Sequence, residues 1–246
     1  MQKRVISFFI FYCVAGAITF ADEPIMMVYH ERMPYVYFDT NHKMQGLVGA
    51  PVQQAFLHAN VSLSWVEIPP NRQLLMLQQS DAPVCSLGWF KNEDREQYAQ
   101  FSQPVYQDHP TIGLAKIANS NVPDETTVGG LFQQENLVLL TKAGYSYGAY
   151  IDKLITEYEP HRLTVTVENT SMLKMLAAGR VDYFFLALEE ASQLIESQGL
   201  LVSDFKFVKL TDVPPGDNRY VICNQHVPKA TLERVNDWLA KQAQDR

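Results

Sequence analysis

The sequence predicts an α/β protein with largely parallel sheets, built from two α/β units. Short apolar runs typical of strands alternate with amphipathic segments typical of helices, which is the pattern of consecutive βαβ units. Of the 246 residues, 47% are hydrophobic, so the chain has enough apolar material for a sizeable core. This length fits one large domain or two small ones.

The first unit is predicted to end by about residue 90. Apolar and alternating runs indicate strands, and apolar residues on one helical face indicate the helices between them. The predicted order is strand, helix, strand, helix, strand, at residues 25–29, 50–59, 61–65, 74–77 and 84–89.

The second unit follows an extended segment at residues 111–118 and a turn-rich stretch at 119–127. Strands and helices alternate in it, at residues 137–141, 147–158, 163–167, 172–178, 181–186 and 189–197. A strand at 219–223 and an amphipathic helix with Leu232, Val235, Trp238 and Leu239 on one stripe end the chain.

The charge balance excludes two classes of partner. Twenty Lys and Arg residues stand against 27 Asp and Glu residues, and the positive ones form no cluster or stripe. Nucleic acid and anionic membrane surfaces are therefore not expected partners.

Residues 1–21 have the pattern of a secretory signal peptide. Lys3 and Arg4 precede an apolar run, and Ala21 precedes the polar start of the mature chain. The alternative is a retained N-terminal anchor, although the run is shorter than the roughly 20 residues that a spanning helix needs. We therefore expect a periplasmic protein that begins at residue 22.

The mature chain contains two cysteines, Cys85 and Cys223. In an exported protein this even count predicts one disulfide, and two separate buried thiols are the alternative. No Cys-x-x-Cys or His-Glu-x-x-His spacing occurs, so no metal or other cofactor is expected. A bridge would return the closing strand to the first unit, which predicts two segments crossing between two lobes, with a cleft between them.

Several segments together resemble the family 3 extracellular solute-binding proteins, of the polar amino acid uptake type, over residues 22–246. The most specific is Gly88-Trp-Phe-Lys-Asn-Glu-Asp-Arg95, followed by Phe101-Ser102-Gln103-Pro104. Supporting segments are Pro34-Tyr35, Gly46-Leu47, Gly144-Tyr-Ser-Tyr-Gly148 and Gly179-Arg-Val-Asp182. The resemblance implies a two-lobed, hinge-closing fold of the type II periplasmic binding proteins. Its lobe 1 would span 22–110 and 218–246, and its lobe 2 would span 111–217.

The resemblance implies that Arg95 holds the carboxylate of the solute, and a guanidinium suits that task because it presents two parallel N–H donors. A surface arginine in a charged run is the alternative. The position at which the family holds a ligand ammonium is Ala187 here, and an early acidic position of the family is Tyr29. Glu189 or Glu190 is the candidate replacement, with a solvated helix start as the alternative role.

Further contacts are predicted from residue type and place in the unit. Aromatic side chains after strands favour small-molecule sites, although core packing is equally expected for each of them. Arg72 follows a Pro-Pro turn, and the loop of Tyr145 and Ser146 opens a helix whose amide groups suit an anion. The predicted ligand-binding set is Arg95, Arg72, Ser146, Tyr145, Tyr29, Trp89, Phe90 and Glu189.

An enzyme is the competing interpretation. Gly144-Tyr-Ser146-Tyr-Gly148 also matches the Gly-x-Ser-x-Gly nucleophile elbow, and Asp182 and His226 follow in the order that a hydrolase needs. No upstream oxyanion segment accompanies the motif, which counts against hydrolysis. We expect instead a monomeric, non-enzymatic binder of a small solute that an inner-membrane ABC-type permease receives. A solute sensor read by a membrane receptor is the third possibility.

Overall fold

The computed structural model describes residues 23–244, and the predicted signal peptide, residues 1–21, lies outside them. The chain forms two six-stranded sheets with helices packed against them, which confirms the α/β class. A small hairpin of β2 (Tyr37–Phe38) and β3 (Met44–Gln45) stands apart from both sheets. None of the described helices is both long and apolar enough to cross a membrane.

The first sheet and its helices form what we call lobe 1. Its strands are β1 (Ile25–Tyr29), β4 (Leu63–Glu67), β5 (Val84–Phe90), β6 (Gln100–Phe101), β7 (Tyr106–Gln107) and β14 (Asn218–Cys223). Their order is β4-β1-β5-β14-β6, with β7 also paired to β14. The helices are α1 (Gly49–His58), α2 (Pro70–Gln79), α3 (Glu93–Glu96) and α8 (Lys229–Gln244).

The core of lobe 1 joins the two ends of the chain. Val52 and Phe56, one helical turn apart on α1, belong to the same buried cluster as Val235 and Leu239, one turn apart on α8. The last helix therefore completes a lobe that the first described residues begin.

The second sheet and its helices form lobe 2. Its strands are β8 (Thr111–Lys116), β9 (Glu125–Thr126), β10 (Leu139–Lys142), β11 (Arg162–Val165), β12 (Tyr183–Ala187) and β13 (Phe205–Leu210). Their order is β11-β10-β12-β8-β13-β9. The helices are α4 (Val128–Phe132), α5 (Ala149–Tyr158), α6 (Asn169–Ala177) and α7 (Leu188–Ser197).

Two segments cross between the lobes, residues 108–110 and residues 211–217, which we call the crossing segments. Their backbones meet where the Asp108 amide donates to the Asp217 carbonyl at 3.0 Å. The strands that they deliver, β8 and β14, run antiparallel to their neighbours β12 and β5, whereas β1, β4 and β5 pair in parallel. The sheets are therefore mixed rather than largely parallel, because each crossing strand enters its sheet from the other lobe.

Sequence patterning did not predict β13. Lys206 and Lys209 interrupt its apolar residues, and each lysine extends to an acid, Asp124 at 3.5 Å and Glu125 at 3.2 Å. The strand is nevertheless held on both sides, by β8 and by β9. Tertiary pairing therefore decides its conformation.

The predicted disulfide is confirmed. Cys85 of β5 and Cys223 of β14 are directly opposed in the antiparallel pair, with their Cα atoms 4.0 Å apart and their sulfur atoms bonded. Both residues are completely buried in the core of lobe 1. The bridge closes a loop of 138 residues that contains the whole of lobe 2.

Candidate functional site

A cavity of about 60 Å³ lies between the lobes. Lobe 1 supplies residues from the end of β1, from β5 and from α3, while lobe 2 supplies the loop after β10 and the strand β12. The polar residues that line it are His30, Arg32, Arg95, Asp108, Thr111, Lys142, Tyr145, Ser146, Tyr147, Asn169 and Arg219. The apolar part of its wall includes Trp89, Phe90, Met172, Phe184 and Leu186. Cationic, aromatic and hydroxyl groups thus converge in one space between the lobes, which is the composition of a small-molecule site.

Arg95 is the cation in this cavity without an acidic partner. The Asn92 side chain accepts from the Arg95 amide at 3.0 Å, and this cap starts the short helix that aims the guanidinium inwards. Nη1 donates to the Phe90 carbonyl at 2.6 Å and Nη2 to the Gly144 carbonyl of lobe 2 at 3.0 Å. The guanidinium lies over the Trp89 ring, 4.8 Å from its centroid. No carboxylate of residues 23–244 lies within ion-pair distance of it, and burial lowers the pKa of Arg95.

The other cations of the cavity are each paired with a carboxylate. Arg219 makes two hydrogen bonds of 2.6 Å to Asp108, and Arg32 makes two, of 2.7 and 2.6 Å, to Glu190 of lobe 2. Lys142 donates to Glu168 at 2.6 Å. Among the described residues, Arg95 is therefore the cation of this cavity that has no ion pair.

Tyr145 links the lobes through His30. Its Oη lies 3.0 Å from His30 Nε2, and the Gln73 amide nitrogen lies 3.4 Å from His30 Nδ1. Gln73 Oε1 accepts from the Ser86 hydroxyl at 2.6 Å, so its amide nitrogen donates and Nδ1 accepts. A neutral ring then carries its proton on Nε2 and donates it to the Tyr145 hydroxyl oxygen.

His30 is kept neutral by its surroundings. The pKa of His30 is lowered to about 3, mainly by burial of the ring and further by the positive charges of Arg32, Lys142 and Arg219. The ring therefore stays unprotonated at neutral pH and keeps the tautomer that its two partners require.

Ser146 lies in the loop before helix α5, and its hydroxyl is already hydrogen-bonded. Its hydroxyl donates to Asp152 Oδ2, and its oxygen accepts from the Gly148 amide at 3.2 Å. Among the described residues no hydrogen bond joins Ser146 to a histidine. Asp182 accepts from Asn119 and from the Val138 amide, and His226 is exposed in the turn before α8. The structure does not bring the three residues of the hydrolase interpretation together.

Five of the predicted ligand-binding residues meet in the cavity, namely Arg95, Ser146, Tyr145, Trp89 and Phe90. Arg72 does not, because it lies on the exposed face of α2. Tyr29 packs edge-on against Phe38 and Trp65, since strand alternation turns it to the opposite face from His30. Their predicted contacts with the solute would require another arrangement of these residues.

Glu189 also lies outside the cavity. Its carboxylate accepts from the Tyr106 hydroxyl at 3.1 Å and from the His109 amide at 3.2 Å, at the first crossing segment. The next residue, Glu190, is 1% exposed and reaches the Arg32 of the cavity wall. Adjacent residues in the first turn of α7 therefore make different contacts. Glu189 contacts the first crossing segment, and Glu190 contacts Arg32 of the cavity wall.

Sequence reasoning missed four charged residues of the site, Arg32, Asp108, Lys142 and Arg219. Arg32 lies 158 positions from its partner and Arg219 lies 111 positions from Asp108, so no local pattern joins them. The sequence signal that could have indicated them is that each is a charged residue next to or at the start of a predicted strand.

The sequence model of the bacterial extracellular solute-binding proteins, family 3, matches residues 25–246. The chain belongs to this family. The members of this family are extracellular solute-binding proteins. No curated protein matches the sequence.

Solved structures show the same two-lobed type II fold at low identity. An ancestral arginine-binding protein bound to arginine superposes with a TM-score of 0.70 at 16% identity, over 92% of this chain and 95% of that one. A structure from work on glutathione import by GshT and the cystine importer TcyBC of Streptococcus mutans gives 0.71 at 14% identity, over 91% and 90%. The substrate-binding protein of an amino acid ABC transporter gives 0.67 at 16% identity, over 90% and 93%. At these identities the likeness concerns the fold.

Proposed function

We propose that this family 3 protein binds a small, carboxylate-bearing, amino-acid-like solute by closing its two lobes, and delivers it in the periplasm to an ABC-type uptake system. The observation that carries the proposal is the buried Arg95 guanidinium without a carboxylate. A buried cation is costly unless it is paired, and an anionic solute would supply the missing charge. The periplasmic location rests on the predicted signal peptide.

The polar contacts between the lobes explain how closure and binding are coupled. Arg95 belongs to lobe 1 and donates to Gly144 of lobe 2, and His30 of lobe 1 meets Tyr145 of lobe 2. A carboxylate placed at Arg95 therefore lies beside the very groups that join the lobes. Such a solute favours the closed arrangement because it binds that arrangement better.

The delivery step is supported by similarity to transport proteins and not by a feature of the cavity. Similar folds are those of a substrate-binding protein of an amino acid ABC transporter and of a protein studied with a cystine ABC importer. Uptake of the identified solute by cells that carry or lack the protein tests this step directly.

The binding step is tested by calorimetry with a panel of carboxylates, amines and sugars. We expect only carboxylates to bind, and Arg95→Ala to weaken them by about 30-fold or more, as removal of one partner of a buried charge pair does. Arg180→Ala, which removes an exposed arginine of lobe 2, is the matched control and should bind normally. Undiminished affinity in a folded Arg95→Ala protein would contradict the proposal, and so would binding confined to sugars or amines.

A further inference from the structure

Three of the four cations that line the cavity are paired with carboxylates, and Arg95 is not. Each of the three ion pairs measures 2.6 Å, whereas no carboxylate of residues 23–244 lies within ion-pair distance of Arg95. The cations are Arg32, Arg95, Lys142 and Arg219, and the carboxylates are Asp108, Glu168 and Glu190. Asp152 lies behind this wall and has no cation within ion-pair distance among the described residues, but its oxygens accept from the Ser146 hydroxyl and the Tyr147 amide.

Glu190 is the buried carboxylate on the lobe 2 side. It lies in the first turn of α7, directly after β12. Residues that follow the carboxyl end of a strand commonly lie at the cleft in α/β folds. Both of its oxygens are engaged, because Oε1 accepts from Arg32 Nε and from Asn169 Nδ2, at 2.7 and 2.8 Å, and Oε2 accepts from Arg32 Nη2 at 2.6 Å. Glu190 is 1% exposed, so these contacts replace water completely.

Arg32 comes from lobe 1 and therefore spans the cleft to reach Glu190. Its guanidinium also lies 5.6 Å from the centroid of the Tyr145 ring of lobe 2 and 5.2 Å from that of Tyr35 of lobe 1. The pair is thus a fixed contact between the lobes, made by the protein itself.

The electrostatic environment of the cavity disfavours a further cation. His30 lines the same space, and three neighbouring cations contribute to keeping its ring unprotonated. A ligand ammonium at this place would be repelled by the same positive charges, and Glu190 is already paired with Arg32. Burying it without a carboxylate is unfavourable.

We propose that Arg32 occupies on Glu190 the place that a ligand ammonium would need, so that the solute is a monocarboxylate without a cationic group. This inference rests on the proposed function, since it assumes that the solute carboxylate binds Arg95. It narrows the solute from amino-acid-like molecules in general to 2-hydroxy acids, 2-oxo acids and unsubstituted acids of similar size.

Matched ligand series test the proposal on the unaltered protein. Calorimetry compares alanine, leucine, phenylalanine and glutamate with the acids that carry hydrogen, hydroxyl or oxo in place of the amino group. We expect an acid without the amino group to bind at least 10-fold more tightly than the amino acid of the same skeleton. Equal or tighter binding of the amino acid overturns the inference and leaves the proposed function standing. Failure of every carboxylate to bind overturns both.

Two variants test the role of Arg32 specifically. Arg32→Met leaves Glu190 buried without a cation, so we expect the preference to move towards the amino acid by at least 10-fold. The double variant, Arg32→Met with Glu190→Gln, removes both charges and should keep the original preference. The same preference in both variants would overturn the role assigned to Arg32, and the folded state of each is verified by its thermal unfolding. The ligand series on the unaltered protein does not depend on either variant folding.

Discussion

Arg219 of β14 and Asp108 of the first crossing segment form two parallel hydrogen bonds of 2.6 Å, from Nε to Oδ1 and from Nη2 to Oδ2. Arg219 also donates to the Gly88 carbonyl at 2.9 Å, and its guanidinium lies 3.9 Å from the centroid of the Tyr35 ring. Both charged side chains are buried. This ion pair therefore ties the end of one crossing segment to the strand that follows the other.

Asp108→Asn should destabilise the protein strongly, because it leaves the buried Arg219 charge without its carboxylate. We expect a loss of about 3–5 kcal/mol in the free energy of unfolding measured in urea. The double variant, Asp108→Leu with Arg219→Met, should lose less than the sum of the two single changes. Strictly additive losses would contradict the coupling inferred from the two hydrogen bonds.

Replacing both cysteines by serine should destabilise the protein by about 3–5 kcal/mol, because the bridge closes a loop of 138 residues in the unfolded chain. Urea unfolding with and without a reductant measures this. In protein spanning residues 22–246, Cys85 and Cys223 should react with an alkylating reagent only after reduction and denaturation. Labelling in denaturant alone would mean that the bridge is absent.

Stability should fall as the pH falls from about 6.5 towards 3, and His30 should account for part of this loss. Its pKa of about 3 in the folded protein lies below its ordinary value of 6.5, so unfolding takes up a proton in this interval. The contribution is at most about 1.4 kcal/mol per pH unit. The contribution of His30 to stability is present in full above pH 6.5, where the ring is neutral in both the folded and the unfolded state.

His30→Gln removes this contribution, and urea unfolding at pH 7.5, 6 and 5 measures the difference. Other titrating groups are shared by both proteins, so only the difference between the two pH curves is interpreted. His161→Gln, at an exposed position of lobe 2, is the control for the substitution itself. Parallel curves for His30→Gln and the unaltered protein would contradict the folded-state pKa of His30.

Gly216→Ala should distort the contact between the crossing segments. An added Cβ would lie 1.9 Å from the Asp108 carbonyl oxygen, a backbone atom that cannot rotate away, and we expect a cost of about 3 kcal/mol. Gly199→Ala meets nothing within 4 Å and bears only the strain of its positive φ of 66°, worth about 1–2 kcal/mol. Equal costs for the two changes, measured by urea unfolding, would contradict the close approach at Gly216.

The fold was largely predictable because strand and helix periodicities are local. The cysteine count and the segment from Gly88 to Arg95 added information that periodicity lacks, namely a pairing and a candidate carboxylate contact. The strand β13 was missed because its lysines interrupt the apolar run, although pairing on both sides holds it. Local pattern therefore predicts elements well where tertiary pairing agrees with it.

The site was predictable only in part, because its charges are matched over long sequence distances. The sequence named Glu189 or Glu190 as a candidate and placed Glu189 in the ligand-binding set, but nothing near Arg32 in the sequence indicates its pairing with Glu190. Glu189 instead contacts the first crossing segment. Tyr29 and His30 differ in the same way, since adjacent strand residues face opposite sides of the sheet. Arg95 could be found because a contiguous motif marks it, although its place in the charge balance could not.

The route of the chain has a consequence for the order in which the protein is assembled during synthesis. All strands of lobe 2 lie between residues 111 and 210, so this lobe can form as one continuous piece. Lobe 1 is interrupted, and the side of β5 that pairs with β14 remains open until residues 218–223 have been made. Cys85 therefore cannot form its native bridge until Cys223 has been made. A chain truncated before residue 218 would have all strands of lobe 2 but an incomplete sheet in lobe 1.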